Sequence, residues 1–239
     1  MDSADLVIVG AGGLGTEFAW VAGEMSNSPD RSGAAKRWRA IGYADDASAK
    51  KGETSGGLQI LGTIEEAVGR LSGRPVHFAV AVGDSTAREK LVRRAETAGW
   101  RPATLIHPSV IIAKDARIGE GSYLAPGCVV CPGACVANHV IVNTHASVGH
   151  HSILEDYSQI CPGARINGGC RVGKHAFIGS NASLNPRVVV GQGSVVGANS
   201  LAIRNVAPGT TVLGCPAMAA TGRRFPGKST HDAGDRSNG

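Results

Sequence analysis

Every sixth residue from Ile106 to Ala202 is apolar, running Ile106, Ile112, Ile118, Leu124 and onward to Val190, Val196 and Ala202 without a break. Of these seventeen positions sixteen are Ile, Leu or Val. The residue two places earlier is usually small, as at Ala116, Ser122, Cys128, Ala134 and Ala146, and Gly often follows, as in Ile118-Gly119, Val172-Gly173 and Ile178-Gly179. A helix of 3.6 residues per turn smears a period of six around its whole surface. Short strands joined by corners keep it, because in a strand the beat residue and the one two before it share a face. Glycine at the corner is expected to supply unusual backbone angles. A hexapeptide period is a β-solenoid signature. With three hexads per coil, Leu124, Val142, Ile160, Ile178 and Val196 should stack on one wall. Unrelated hairpins would instead need turn signals every 8–12 residues, and the sequence lacks them. About five coils are expected.

The rest of the composition suits this reading. Aromatic residues are only 4% of the 239 while Gly numbers 34, in keeping with narrow coils. No run of eighteen apolar residues exists, so no membrane span is expected. The start, Met1-Asp2-Ser3-Ala4-Asp5, is acidic where a signal peptide is basic, which points to the cytoplasm. The net charge of +5 is spread over short groups such as Lys36-Arg37-Trp38-Arg39, Arg93-Arg94 and Arg223-Arg224. No single basic stripe forms, and nucleic acid is not an expected partner. Of the six cysteines, Cys128-x-x-Cys131 has no second pair, so small buried thiols are expected and no metal or disulfide.

Before the solenoid, residues 1–104 read as strands alternating with helices. Asp5–Gly15 is an apolar run entering Gly10-x-Gly12-x-x-Gly15, followed by Thr16–Ala22 with helical character. Strand, glycine turn and helix is the context of a nucleotide-binding loop, in which glycines let the backbone approach a phosphate at a helix N-terminus. Residues 26–37 read as a polar loop. Arg39–Ala44 is a second strand ending at Asp45-Asp46, Leu58–Gly62 is a short extended piece, and a helix starts from Thr63 with Glu66 completing a capping box. His77–Val82 is a third strand ending at Gly83-Asp84, and Ser85–Ala98 a further helix. This makes one mononucleotide-binding half of a doubly wound sheet, with no second half for a nicotinamide. It suits holding the nucleotide end of a substrate better than hydride transfer. Residues 105–218 form the solenoid, and 219–239, rich in Gly, Ser and charge, read as a disordered tail.

Four of the eight histidines fall between His139 and His151. By alternation His139, His145 and His151, each three before a beat, should point outward. His150, two after Val148, sits beside a corner, where an exposed imidazole can act as a base near neutral pH.

The stretch Val142-Asn143-Thr144-His145-Ala146-Ser147-Val148-Gly149-His150, with Gly10–Gly15, Asp45-Asp46 and the terminal Gly214-Cys215-Pro216-Ala217, resembles the sugar O-acyltransferase family of sialic acid O-acetyltransferases and bacillosamine-pathway N-acetyltransferases. The likeness spans residue 5 to about 218. It implies a Rossmann-like half-domain followed by a left-handed parallel β-helix, assembled as a homotrimer with active sites between neighbouring β-helices. The implied activity is transfer of an acetyl group from acetyl-CoA to the amine or hydroxyl of a nucleotide-linked sugar in glycan biosynthesis, without a metal. Residue by residue, the resemblance makes His150 the general base and Asn143 its orienting group. Gly12, Gly13, Asp45, Asp46 and Gly83 become substrate-nucleotide contacts, and Ser180 and Ala198 CoA contacts.

Three positions depart from the family pattern. His151 stands where many members have an acid, Gln159 where some have a histidine that approaches CoA, and Leu14 where the nucleotide loop is usually polar.

Two alternatives stand beside the transferase. His145-x4-His150 resembles the paired histidines of γ-class carbonic anhydrases, zinc enzymes on the same solenoid, but the third histidine they need is offered only by His107, one place after a beat. A non-catalytic nucleotide-sugar-binding scaffold is the other. Val140, Tyr157, Phe177 and Val188-Val189 are expected on the outer walls, where side-by-side association would cover them.

Overall fold

The computed structural model describes residues 3–27, 38–47 and 52–220. The proposed polar loop lies mostly outside these, as do Arg223, Arg224 and nearly all of the 219–239 tail. The first helix continues through Ser26 and Asn27, two residues into the expected loop.

The N-terminal unit is a four-stranded parallel sheet. Its strands are β1 (Ala4–Val9), β2 (Trp38–Ala44), β5 (Val76–Val80) and β6 (Arg101–Pro102), in the order β2-β1-β5-β6. Helices α1 (Gly13–Asn27), α2 (Ile64–Arg70) and α3 (Ser85–Thr97) connect them, with a small hairpin, β3 (Thr54–Ser55) and β4 (Leu58–Gln59), beside β2. Leu6, Val7, Ile8 and Val9 are all buried, as a strand covered on both faces requires. Thr63 caps α2, its side chain accepting from the Glu66 N–H while Glu66 accepts from the Thr63 N–H. Asp84 caps α3 through the Ala87 N–H at 2.7 Å.

From Leu105 the chain winds as a three-walled parallel β-helix. Every strand before the last coil is two residues long and ends on a beat residue. The first wall runs from Leu105–Ile106 to Thr211–Leu213, the second from Ile111–Ile112 to Leu201–Ala202, and the third from Arg117–Ile118 to Val189–Val190. Register is eighteen residues per coil, so Leu124 pairs with Val142, Val142 with Ile160, Ile160 with Ile178 and Ile178 with Val196. The final step, Val196 to Val212, is two residues shorter. These pairings make six coils, one more than expected.

The beat residues from Leu124 onward fill the interior together with the small residues two before them. Ser122, Cys128, Ala146, Ser152, Ala164 and Ala182 are each 0–1% exposed. Burying one aliphatic side chain stabilises by about 1.5–3 kcal/mol, so this column supplies much of the apolar drive to fold. Val140 and Val188, placed outside by the sequence reading, lie two before Val142 and Val190 and are interior at 0% and 4%.

The corners also differ from expectation. Glycines that follow a beat have ordinary backbone angles; they are required because the next coil leaves no room. A Cβ on Gly119 would lie 2.5 Å from the Ala137 carbonyl, and one on Gly149 would lie 2.6 Å from Asn167. The left-handed backbone falls instead three places before the beat. Gly121, Gly127 and Gly133 occupy it, and then His139, His145, His151, Tyr157 and His175, with φ between 55° and 60°. Strand alternation therefore stops short of these positions. His145 and His151 are exposed, but His139 is buried, its ring stacked 5.1 Å from that of Tyr157.

The half-domain lies on the first wall. Phe18 of α1 stacks on Tyr123 with ring centroids 3.9 Å apart. The outer residues Leu105, Tyr123, Ile141 and Gln159 of that wall are all buried. Tyr157, expected on an outer wall where association between chains would cover it, is buried instead against the chain's own half-domain. No helix among the described residues is long and apolar enough to cross a membrane.

Candidate active site

The three edges between walls sort the candidate residues. Asn143, Ser180 and Ala198 fall on the edge between the first and second walls. His150 and His151 fall on the edge between the second and third. In a three-walled prism that second edge is opposite the first wall, which carries the half-domain. Gly12, Gly13, Leu14, Asp45, Asp46 and Gly83 belong to the half-domain.

At the head of the half-domain, Gly12 and Gly13 open α1 and are exposed, and a Cβ on either would meet nothing within 4 Å. Gly15 is packed shut, its Cβ position 2.1 Å from the Gly10 carbonyl oxygen. The loop thus offers backbone N–H groups at a helix N-terminus, with open space above the first two glycines, the arrangement that receives a phosphate. Leu14 is half-buried and packs against the core. Asp45 holds the loop to the end of β2: one carboxylate oxygen accepts from Ala11 N–H at 2.8 Å and the other from Ala47 N–H at 2.9 Å. Asp46 is bridged by Arg94 at 2.6 and 3.1 Å, and Arg94 also grips Glu65, holding its carboxyl down to about 2.

Gly83 follows β5 and meets the β-helix, with Gln159 about 4.0 Å from its Cβ position. Behind them lies a residue that sequence reasoning missed. Arg88 is 1% exposed, and its guanidinium donates to the carbonyls of Val82 (2.8 Å), Gly83 (3.2 Å), Tyr157 (2.5 Å) and Ser158 (3.5 Å), and to Gln159 Oε1 (3.4 Å). Burial lowers its pKa to about 10, so it stays charged at neutral pH. In sequence Arg88 is one of several basic residues on an amphipathic helix, and nothing local marks it as buried. Beside it Glu89 takes Lys174 Nζ at 3.0 Å and His175 Nε2 at 2.8 Å. The Lys174 contact is the main reason that the Glu89 carboxyl falls to about 2.

On the second edge, the exposed His150 ring lies over Gly168, where a Cβ would be 2.3 Å from Nε2. His150 Nδ1 is 3.1 Å from His151 Nδ1, and the two rings are nearly perpendicular at 82°. The Nδ1 of each ring thus has the other as its partner, at the position where many family members carry an acid. Asn143 is buried at the far end of the second wall in the same coil, and its carbonyl accepts from Cys128 Sγ at 3.0 Å. Within one chain it does not reach His150. Ser180 and Ala198 sit on adjacent coils of the first edge, with Asn199 N–H donating to the Ser180 carbonyl at 2.8 Å.

Cys128 and Cys170 are interior thiols and Cys161 is buried, as expected, whereas Cys131 and Cys135 are half-exposed and Cys215 is exposed. Burial pushes the Cys128 thiol up to about 11. Among the described residues no group of three or more His, Cys, Asp or Glu is placed to hold a metal ion.

Residues 5–95 match the PglD N-terminal domain family, and residues 100–210 match the GMPPB C-terminal domain family. No curated protein matches the chain in sequence. Among solved structures, the acetyltransferase domain of PglB from Neisseria gonorrhoeae FA1090, in complex with acetyl coenzyme A, is 30% identical with a TM-score of 0.81. The match covers 92% of this chain and 100% of that one. PerB from Caulobacter crescentus, in complex with CoA and GDP-perosamine, is 26% identical with a TM-score of 0.80, covering 91% of this chain and 97% of its own. WeeI from Acinetobacter baumannii AYE shares the fold at 24% identity and a TM-score of 0.81, covering 91% of this chain and 100% of its own. With the two units matched in order and a 30% identical relative covered over its full length, the chain belongs to the hexapeptide-repeat acetyltransferases, the family of the nucleotide-amino-sugar N-acetyltransferases.

Proposed function

We propose that this chain is an acetyl-CoA-dependent acetyltransferase that acylates the amine of a nucleotide-linked amino sugar, with His150 as general base. The observation that carries the site assignment is the exposed His150 ring, which rests its Nε2 end on Gly168 and meets His151 at Nδ1, with no hydrogen bond to Nε2 among the described residues. The amine nitrogen attacks the thioester carbonyl carbon while its proton passes to His150 Nε2. The tetrahedral oxyanion is met by a backbone N–H on the edge. Collapse breaks the C–S bond, the thiolate takes the proton back from His150, and amide and CoA leave. Positioned base catalysis of this kind is worth about 10²–10⁴-fold.

The proposed division is a nucleotide-sugar half-domain over residues 1–104 and a β-helix over 105–218 that carries acetyl-CoA and the chemistry. Gly12, Gly13, Leu14, Asp45, Asp46 and Gly83 surround the nucleotide, and Gln159, Ser180 and Ala198 contact the cofactor. Asp45 and Asp46 already hold backbone N–H groups and Arg94, so they shape the loop first and meet the ligand second.

The placement of these groups favours a homotrimer. His150 lies opposite its own half-domain, while Asn143, Ser180 and Ala198 lie on the edge that adjoins it. If three copies turn their second walls toward a common axis, the second edge of each meets the first edge of the next. His150 then faces Asn143 of the partner subunit and the partner's half-domain. Ile111, Val129, Ser147, Arg165, Ser183 and Leu201 face outward on that wall, and none of them is acidic. Glycan biosynthesis in the cytoplasm is the setting that fits such a substrate.

The test is CoA release from acetyl-CoA with a panel of UDP-, GDP- and dTDP-linked amino sugars, with His150→Ala alongside. Turnover with one acceptor, reduced by about 10² or more in the variant, supports the reading. A folded protein that neither binds acetyl-CoA nor turns over any acceptor would overturn it in favour of a binding scaffold.

A further inference from the structure

We infer that His151 is a positioning residue for His150: its Nδ1 accepts the proton carried on His150 Nδ1, which fixes the tautomer with a free lone pair on Nε2. The inference rests on His150 being the base. The two Nδ1 atoms are 3.1 Å apart, and neutral imidazoles can bond through these atoms only if one is protonated there and the other is not. Were His151 the donor, His150 would carry its proton on Nε2 and have no lone pair for the acceptor amine. Only the opposite assignment yields a base.

Both rings are held from outside the pair. His151 has φ 57°, donates its N–H to the Pro132 carbonyl at 3.0 Å, and lies against Gly133, whose Cβ position is 2.8 Å from His151 Cδ2. Gly168 seats His150, and the His150 carbonyl accepts from Gly169 N–H at 2.8 Å. The coils directly below and above thus present Pro132-Gly133 and Gly168-Gly169, which carry no charge. The next charged residues on this edge are Lys114 and Asp115 two coils below and Arg187 two coils above, with backbones about 10 Å away at one strand spacing per coil. The Arg187 side chain lies against Gly169, one coil above the pair. On the flanking walls Arg165 lies one coil up, and Arg171 is paired with Glu155. No ion pair with a carboxylate engages either ring among the described residues. The edge therefore orients its base with a neutral acceptor in place of an acid.

The inference is tested by NMR of isotope-labelled imidazole nitrogens in the intact protein at about pH 8, above the ordinary range of histidine. Wild type should show His150 as the Nδ1–H tautomer. His151→Gly, which suits the left-handed backbone and removes the ring, should release His150 to the Nε2–H form. His151→Glu should keep the Nδ1–H form, because a carboxylate accepts from that nitrogen and cannot donate to it. With acetyl-CoA and GDP-perosamine as the probe acceptor, His151→Gly should lower kcat by about tenfold or more while both KM values stay within about twofold. An Nε2–H tautomer in wild type, or in the folded Glu variant, overturns the inference. If His150→Ala abolishes turnover while His151→Gly retains it, only the inference fails. If His150→Ala keeps full turnover, the base assignment fails and the inference with it.

Discussion

The Arg88 guanidinium donates to the main-chain carbonyl of Tyr157 at 2.5 Å, crossing from α3 of the half-domain into the β-helix. The same group holds the carbonyls of Val82 and Gly83, so one buried cation ties the proposed nucleotide loop to the coil carrying Gln159. A buried charge is costly unless its hydrogen bonds are filled, and here the acceptors come from both units. Arg88→Met should destabilise the protein by about 3 kcal/mol or more, since it strands several buried carbonyls at once. Urea unfolding measures this. Arg88→Lys keeps the charge without the fork and should raise KM for the nucleotide sugar more than KM for acetyl-CoA.

Three glycines separate function from packing. Gly13→Ala places its methyl in open space above the loop, so Tm should hold while KM for the nucleotide sugar rises. Gly15→Ala drives a methyl against the Gly10 carbonyl oxygen, 2.1 Å away, and should lower Tm by several degrees. Gly168→Ala pushes on the His150 ring from 2.3 Å. Displacement of a reacting group by about 1 Å costs about 10²-fold, so kcat should fall by that order with both KM values little changed.

Acid sensitivity should begin at a buried ring outside the site. Burial lowers the His139 pKa to about 4 from the usual 6.5, with Asp156 opposing the shift. The folded state therefore resists protonation while the unfolded chain accepts it. Stability is full above pH 6.5, falls as pH drops from about 6.5 to about 4, and then levels, for a total of at most about 3 kcal/mol. Glu89, held down to about 2 mainly by Lys174, adds a separate loss only below its ordinary range. His139→Asn tolerates the left-handed backbone and has no ring to titrate, so the difference in urea midpoint between pH 7 and pH 5 should shrink in this variant.

The walls of the β-helix were legible because register repeats every eighteen residues, and one apolar position per hexad suffices to report it. The glycine loop and the Thr63 capping box were legible because each is a local signal. The corners were misread. Alternation was carried past the strands into positions such as His139 and Tyr157, where the backbone turns left-handed and the side chain swings under the half-domain. Arg88 and the seat of the half-domain were not legible, since they depend on contacts between residues far apart in sequence, such as Arg88 with Tyr157 and Phe18 with Tyr123. His150 could be singled out as a candidate base, but its position opposite its own half-domain could not, because that follows from which wall the half-domain covers.

That opposition yields the sharpest test of the proposed shared site. If His150 of one chain serves the half-domain of the next, then His150→Ala and a loop variant such as Gly13→Trp damage different halves of the same site. Each homotrimer should be inactive for its own reason. Mixed trimers made by co-expression should regain turnover, because a chain with an intact His150 can sit beside a chain with an intact loop. A mixed trimer holds one complete site of three, so recovery should approach about a quarter of the wild-type rate on random mixing in equal amounts, and about a third for mixed trimers alone. Site titration with acetyl-CoA and the preferred acceptor measures it. No recovery from mixed trimers of confirmed composition would place base and loop in the same chain, and the half-domain would then have to leave the first wall to reach His150.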